Sequence, residues 1–160
     1  MNVADDAGQT ALMHAAFPPF DREMFRLLAE AGADTECRRN DGCTGLVNAA
    51  AGGETDAARA WIEAGADVNA TGRNRNTPLM LAAQGWLNIV DALLTAGADL
   101  TAADADGDTA LHFAVVGYRW STEQDKSAIV RRLLEAGANV RTRNRKGHTA
   151  FVRGDSSPAC

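Results

Sequence analysis

No apolar run in this 160-residue chain approaches the roughly 20 residues that a membrane-spanning helix needs. No apolar signal segment opens it. Cysteine is scarce and odd in number. Cys37, Cys43 and Cys160 make no disulfide framework, so reduced thiols in an intracellular protein, cytoplasmic or nuclear, are expected. Aromatic residues are few, which excludes a core built mainly of rings, and alanine is abundant, which favours closely packed helices. The net charge of −5 gives no overall attraction to nucleic acid or to an anionic membrane. The three histidines are scattered, and no second Cys or His pair completes a zinc motif around Cys37 and Cys43. No strand-to-helix phosphate cradle is present; AAAGGE (49–54) reads as a helix-to-helix turn. A metal, a cofactor and a catalytic site are therefore not expected, and the chain is read as non-catalytic.

What is present is repetition. Four segments end alike: EAGAD (30–34), EAGAD (63–67), TAGAD (95–99) and EAGAN (135–139). Each follows a second signal: TALMHAA (10–16), TGLVNAA (44–50), TPLMLAA (77–83) and TALHFAV (109–115). A fifth start, HTAF (148–151), does not complete. Within each unit Thr10, Thr44, Thr77 or Thr109 stands where a helix begins, with a hydroxyl able to cap backbone N–H groups. Small residues follow, letting a neighbouring helix approach. A second helix carries apolar residues at helical spacing, as in Ile89, Val90, Leu93 and Leu94. Gly32, Gly65, Gly97 and Gly137 then stop it. Asp5-Asp6-Ala7-Gly8 and Asp104-Ala105-Asp106-Gly107 fit a type I turn.

TALHFA (109–114) and TPLMLA (77–82), recurring in register, resemble the ankyrin repeat. The resemblance covers nearly the whole chain. It implies an all-α solenoid of helix pairs with projecting β-hairpin fingers, one domain over 1–160. Its repeats run at about 2–37, 38–70, 71–102 and 103–140, with a partial fifth at 141–155. No capping helix precedes the first finger and the fifth repeat stops early, so either the caps are minimal or the chain is part of something longer. The family's threonine–histidine hydrogen bonding implies a structural role for His112, while His14 stands off that register.

Functional residues are sought where the repeats disagree. The Thr-to-Gly span is 28 residues in repeat four (109 to 137) against 21 in repeat two (44 to 65), so seven extra residues fall between its two helices, around Tyr118 to Lys126 and including Trp120. Inserted loops on rigid scaffolds often carry contacts, and Tyr and Trp are favoured anchors; the same turn could instead cover its own helix pair. The resemblance places His14 and Phe17, Asn48 and Ala51, Leu81 and Gln84, and Phe113 and Val116 toward a concave groove, with Leu81, Phe113 and Val116 as a modest apolar strip. The alternative is packing against neighbouring helices, expected more of Val116 than of Phe113. In the fingers, TGRNRNT (71–77) has Arg75 where other turns have Gly and Gly72 where Asp is expected, which predicts a distorted turn. Arg38, Arg39, Arg73, Arg75, Arg141, Arg143, Arg145 and Lys146 form a basic row that finger four breaks with Asp104, Asp106 and Asp108. A broken row suits a charged protein better than a phosphate backbone, which needs continuous basic coverage.

The reading is a monomeric protein-interaction module that takes a partner protein or peptide, and no nucleic acid or membrane. Its candidate contacts are His14, Phe17, Leu81, Phe113, Tyr118 and Trp120, with Arg73, Arg75 and Arg145 as charged ones. The alternative is the substrate-recognition or targeting segment of a larger enzyme, since residues 126–150 look loosely like the last repeats of ubiquitin ligases.

Overall fold

The computed structural model describes residues 2–116 and 122–151, the Glu123 side chain excepted. Among them are eight α-helices: α1 (Ala11–Ala16), α2 (Arg22–Glu30), α3 (Gly45–Gly52), α4 (Thr55–Glu63), α5 (Pro78–Ala82), α6 (Leu87–Thr95), α7 (Ala110–Val116) and α8 (Glu123–Glu135). A 3₁₀ turn spans Arg73–Arg75, and no strand forms among the described residues.

Local sequence sets where these helices start and stop. The Thr10, Thr44 and Thr77 hydroxyls accept from the N–H groups of Met13 (3.4 Å), Val47 (3.4 Å) and Met80 (3.3 Å). Each satisfies a donor that helix geometry leaves orphaned, worth about 1 kcal/mol. Pro78 opens α5, where its missing N–H costs nothing. Gly65 ends α4 at φ +85°, which lets Ala66 N–H reach back to Trp61 O at 3.0 Å. An L side chain rarely adopts that conformation. The same closure follows α2, α6 and α8.

The helices lie in two layers. Inner helices α1, α3, α5 and α7 pack in order against one another, and so do outer helices α2, α4, α6 and α8. Leu12, Leu46, Leu79 and Leu111 occupy one register of the inner helices and are all buried. They meet Phe25, Trp61, Ile89, Leu93, Ile129 and Leu133 from the outer layer, in one core cluster. Each fully buried side chain of this size contributes about 1.5–3 kcal/mol. Ala15, Ala49, Ala82 and Ala114 carry too little bulk to hold the layers apart. Arg132 Nε donates to Asp91 at 2.6 Å, tying α8 to α6.

Between repeats the chain turns back in fingers. Each is a single tight turn: Asp5 N–H bonds to Gln9 O, Arg39 to Cys43, Gly72 to Asn76, Asp104 to Asp108 and Asn144 to His148. Isolated bridges pair Ala4 with Thr10 and Arg143 with Thr149. The fingers are thus minimal hairpins, and the helix pairs carry the fold.

Candidate functional site

The inner-helix face and the fingers place the candidate residues. His14 is exposed on α1, and its Nε2 lies 2.9 Å from Asp5 Oδ2 of finger one. The Asp5 carboxyl is held below its usual range, first by the Gln9 N–H and then by His14. Phe17, just past α1, is 39% exposed, with the Arg39 guanidinium 5.9 Å from its ring centroid. Leu81 and Phe113 are half-buried against the core. Tyr118 and Trp120 lie outside the described residues.

Val116 corrects the expectation. Its side chain is 79% exposed while Phe113 is the one held by neighbours. Val116 is the last residue of α7, and among the described residues no inner helix follows α7 to cover it.

A crevice of about 30 Å³ opens between α1 and α3, lined by Met13, Phe17, Asn48, Glu54 and Trp61 among others. Sequence reading placed Phe17 and Asn48 on the groove face but missed the part played by Trp61. α4 is alanine-rich, and its one large ring, Trp61, crosses into the space where Gly45 of α3 has no side chain. A Cβ at Gly45 would stand 2.0 Å from Trp61 Cζ2. The signal was available: Ala11, Pro78 and Ala110 occupy the matching position elsewhere. Trp61 is 1% exposed, packs edge-to-face on Phe25 at 4.9 Å, and its Nε1–H has no protein partner.

His112 carries out the expected structural role. Thr109 N–H donates to its Nδ1 at 3.2 Å, so Nε2 holds the proton and donates to His148 O at 3.2 Å. This ties α7 to finger five.

The fingers join through backbone rungs. Asn40 N–H donates to Ala7 O (3.1 Å), Ala105 to Asn74 O (2.8 Å) and Arg145 to Asp106 O (2.9 Å). Among the described residues no backbone rung joins finger three to finger two. Arg73 Nε reaches Asp41 O at 3.4 Å instead, and Arg38 Nη1 bridges Gly42 O and Thr71 O. Finger three is distorted as its sequence predicts, with Asn74 at φ +55° and Arg75 at φ +64°. Both central residues are left-handed, a conformation costing about 1 kcal/mol at a residue such as Arg. Gly72 is required there because a Cβ would come within 2.8 Å of Val47 Cγ1. The Asp41 carboxyl is held low by Cys43 N–H and, after it, by Arg39 and Arg73. Arg145 is exposed on finger five beside Lys146.

Among the described residues no group of His, Cys, Asp or Glu is placed to hold a metal ion. No described helix is long and apolar enough to cross a membrane. The family model described as Ankyrin repeats (3 copies) matches residues 12–104 and again 46–144. The chain is 36% identical over 145 residues to human Ankyrin repeat and SOCS box protein 16, covering 89% of this chain and 32% of that protein. It is 34% identical over 144 residues to the mitochondrial disaggregase of Bos taurus, covering 87% and 20%. It is 32% identical over 156 residues to the E3 ubiquitin-protein ligase KEG of Arabidopsis thaliana, covering 93% and 10%. The chain therefore spans a third or less of the length of these curated relatives.

Proposed function

Since this chain belongs to the ankyrin-repeat family, whose repeats are protein–protein interaction modules, we propose that it binds a partner protein or peptide through its inner-helix groove and its fingers, and catalyses no reaction itself. The observation that carries this is the crevice edge at Phe17. There a half-exposed ring with a guanidinium 5.9 Å from its centroid borders a preformed crevice that Trp61 helps to line. Groups of this kind are enriched at binding centres, and a surface that is already ordered loses little entropy on docking. Leu81 and Phe113 extend the apolar lining along the inner helices. His14 and Arg73, Arg75 and Arg145 supply polar contacts from the first helix and the fingers. Tyr118 and Trp120 add to it from the inserted connection of repeat four. A cytoplasmic or nuclear setting belongs to this reading.

A second reading is favoured by one observation. Relatives that the chain matches only over a minor part of their length include a SOCS box protein and a ubiquitin ligase by name. The chain would then serve as the recognition segment of a larger protein, with any catalysis outside these residues. Fold resemblance alone carries no partner identity.

The test is capture from cell extract with four chains: wild type, Phe17→Ala/Phe113→Ala, Trp120→Ala, and Leu134→Ala on the outer layer. Loss of the same captured protein in the first two variants, with retention in the last, is the expected result. An unchanged capture profile in Phe17→Ala/Phe113→Ala removes the groove from the proposal.

A further inference from the structure

Finger three gives up stability that its sister fingers keep. Arg75 holds φ +64° at the position where Gly8, Gly42, Gly107 and Gly147 hold similar angles without strain. Strain of this kind persists where the local structure serves something else. What finger three gains is two guanidinium groups. Arg73 is partly engaged through Nε on Asp41 O. Arg75 is exposed, and among the described residues its guanidinium makes no hydrogen bond or ion pair.

The neighbouring finger adds to the same charge. Arg38 bridges fingers two and three through Gly42 O and Thr71 O, and Arg39 sits 3.8 Å from Asp41 Oδ2. Over residues 38–44 and 71–77, four arginines stand against the one carboxylate of Asp41. On either side the sign reverses: finger one carries Asp5 and Asp6, and finger four carries Asp104, Asp106 and Asp108. The basic surface is therefore an island two fingers wide.

We propose that fingers two and three form a dock for a short acidic segment of a partner protein, with Arg75 and Arg73 meeting its carboxylates. The proposal rests on the protein-binding reading and deepens it by naming the partner's chemistry. Guanidinium groups suit carboxylates because their fixed fork allows paired hydrogen bonds. The acidic fingers on both sides limit the segment to a few residues. They also select against a nucleic acid, whose evenly spaced phosphates would run onto Asp5, Asp6, Asp104 and Asp106. Basic residues flanking the acidic run would match those borders.

The probe is a fluorescein-labelled peptide with four glutamates between lysine pairs, titrated with the full chain by anisotropy at about 20 mM salt, where screening is weak. Binding to the wild type is expected, with a loss of about tenfold in Arg75→Gly. In that same variant the urea midpoint should rise, because glycine relieves the left-handed residue. Stability and affinity thus move in opposite directions, which a merely structural Arg75 would not produce. Arg59→Ala, which removes a cation from the outer helix α4, should bind within about twofold of wild type. The proposal is overturned if the wild type ignores the peptide, if Arg75→Gly binds equally well, or if Arg59→Ala weakens binding as much. It is also overturned if a single-stranded oligothymidine binds more tightly than the peptide with the same dependence on Arg75. Retention of Phe113-dependent capture alongside any of these results would leave the groove reading intact and remove only the dock.

Discussion

Substituting Gly45 by alanine tests how tightly the two layers are fitted. Gly45 opens α3 with an ordinary helical φ, so the backbone itself would accept any L residue. Helix propensity alone would make alanine stabilising by up to about 1 kcal/mol. The new methyl, however, would sit 2.0 Å from Trp61 Cζ2, 2.3 Å from Cε2 and 2.6 Å from Cη2. Normal carbon contacts are about 3.5–4 Å, so ring and helix must part by more than about 1 Å. Trp61 cannot easily yield, since it is 1% exposed and lies edge-on to Phe25 at 4.9 Å. Overpacking of this kind costs about 1–3 kcal/mol or more, and the clash here falls in the upper part of that range, leaving a net destabilisation of about 1–2 kcal/mol. Gly52 at the other end of α3 is the internal control. A Cβ there meets only the Glu54 side chain, Cγ at 3.4 Å and Oε1 at 3.9 Å, ordinary contacts, so Gly52→Ala should be neutral or gain about 0.5 kcal/mol. Urea unfolding followed by helical circular dichroism reads both, with the Gly45→Ala midpoint falling by about 1 M. In a Trp61→Leu background the Gly45→Ala penalty should largely vanish. A Gly45→Ala chain within about 0.5 kcal/mol of wild type, or one equally penalised without the indole, would refute the steric reasoning.

Two further outcomes follow from the geometry. His112→Leu removes both the Thr109 and the His148 hydrogen bonds of a buried ring, so it should cost about 2 kcal/mol and speed amide exchange at Asn144 and Gly147. Unchanged exchange in finger five would contradict the link. Asp5 has its carboxyl lowered from 3.8 by the Gln9 N–H and His14, so its contribution to finger one is complete above the unfolded value and is lost as pH falls through the folded one. The Gln9 amide resonance should therefore titrate with a midpoint below 3.8, and a midpoint at or above that value would rule the bond out.

Much of this was legible because each repeat solves the same packing problem. Leu12, Leu46, Leu79 and Leu111 stand two residues after the repeated threonines, and all are buried as that register requires. The glycines after the outer helices and the odd Arg75 could also be read, since backbone handedness is a local property. The Gly45–Trp61 fit was not, because it depends on one helix being narrow where another is wide. Neither residue is unusual alone. Val116 was misjudged for a related reason: its burial depended on what stands next to α7, which no residue of α7 encodes. That Arg75 alone of these four arginines has no hydrogen-bond or ion-pair partner among the described residues needed the contacts of Arg38, Arg39 and Arg73, since the sequence presents all four as equals.

The substitution of a side-chain bond for a backbone rung between fingers two and three has a mechanical consequence. Elsewhere along the row, adjoining tips are coupled by backbone hydrogen bonds about 3 Å long, so a push on one tip displaces the next. At this seam the coupling runs through the several rotatable bonds of Arg73 and Arg38, which can take up a displacement without passing it on. The row of tips therefore has one compliant joint, between fingers two and three, and an acidic segment lying across both would span it.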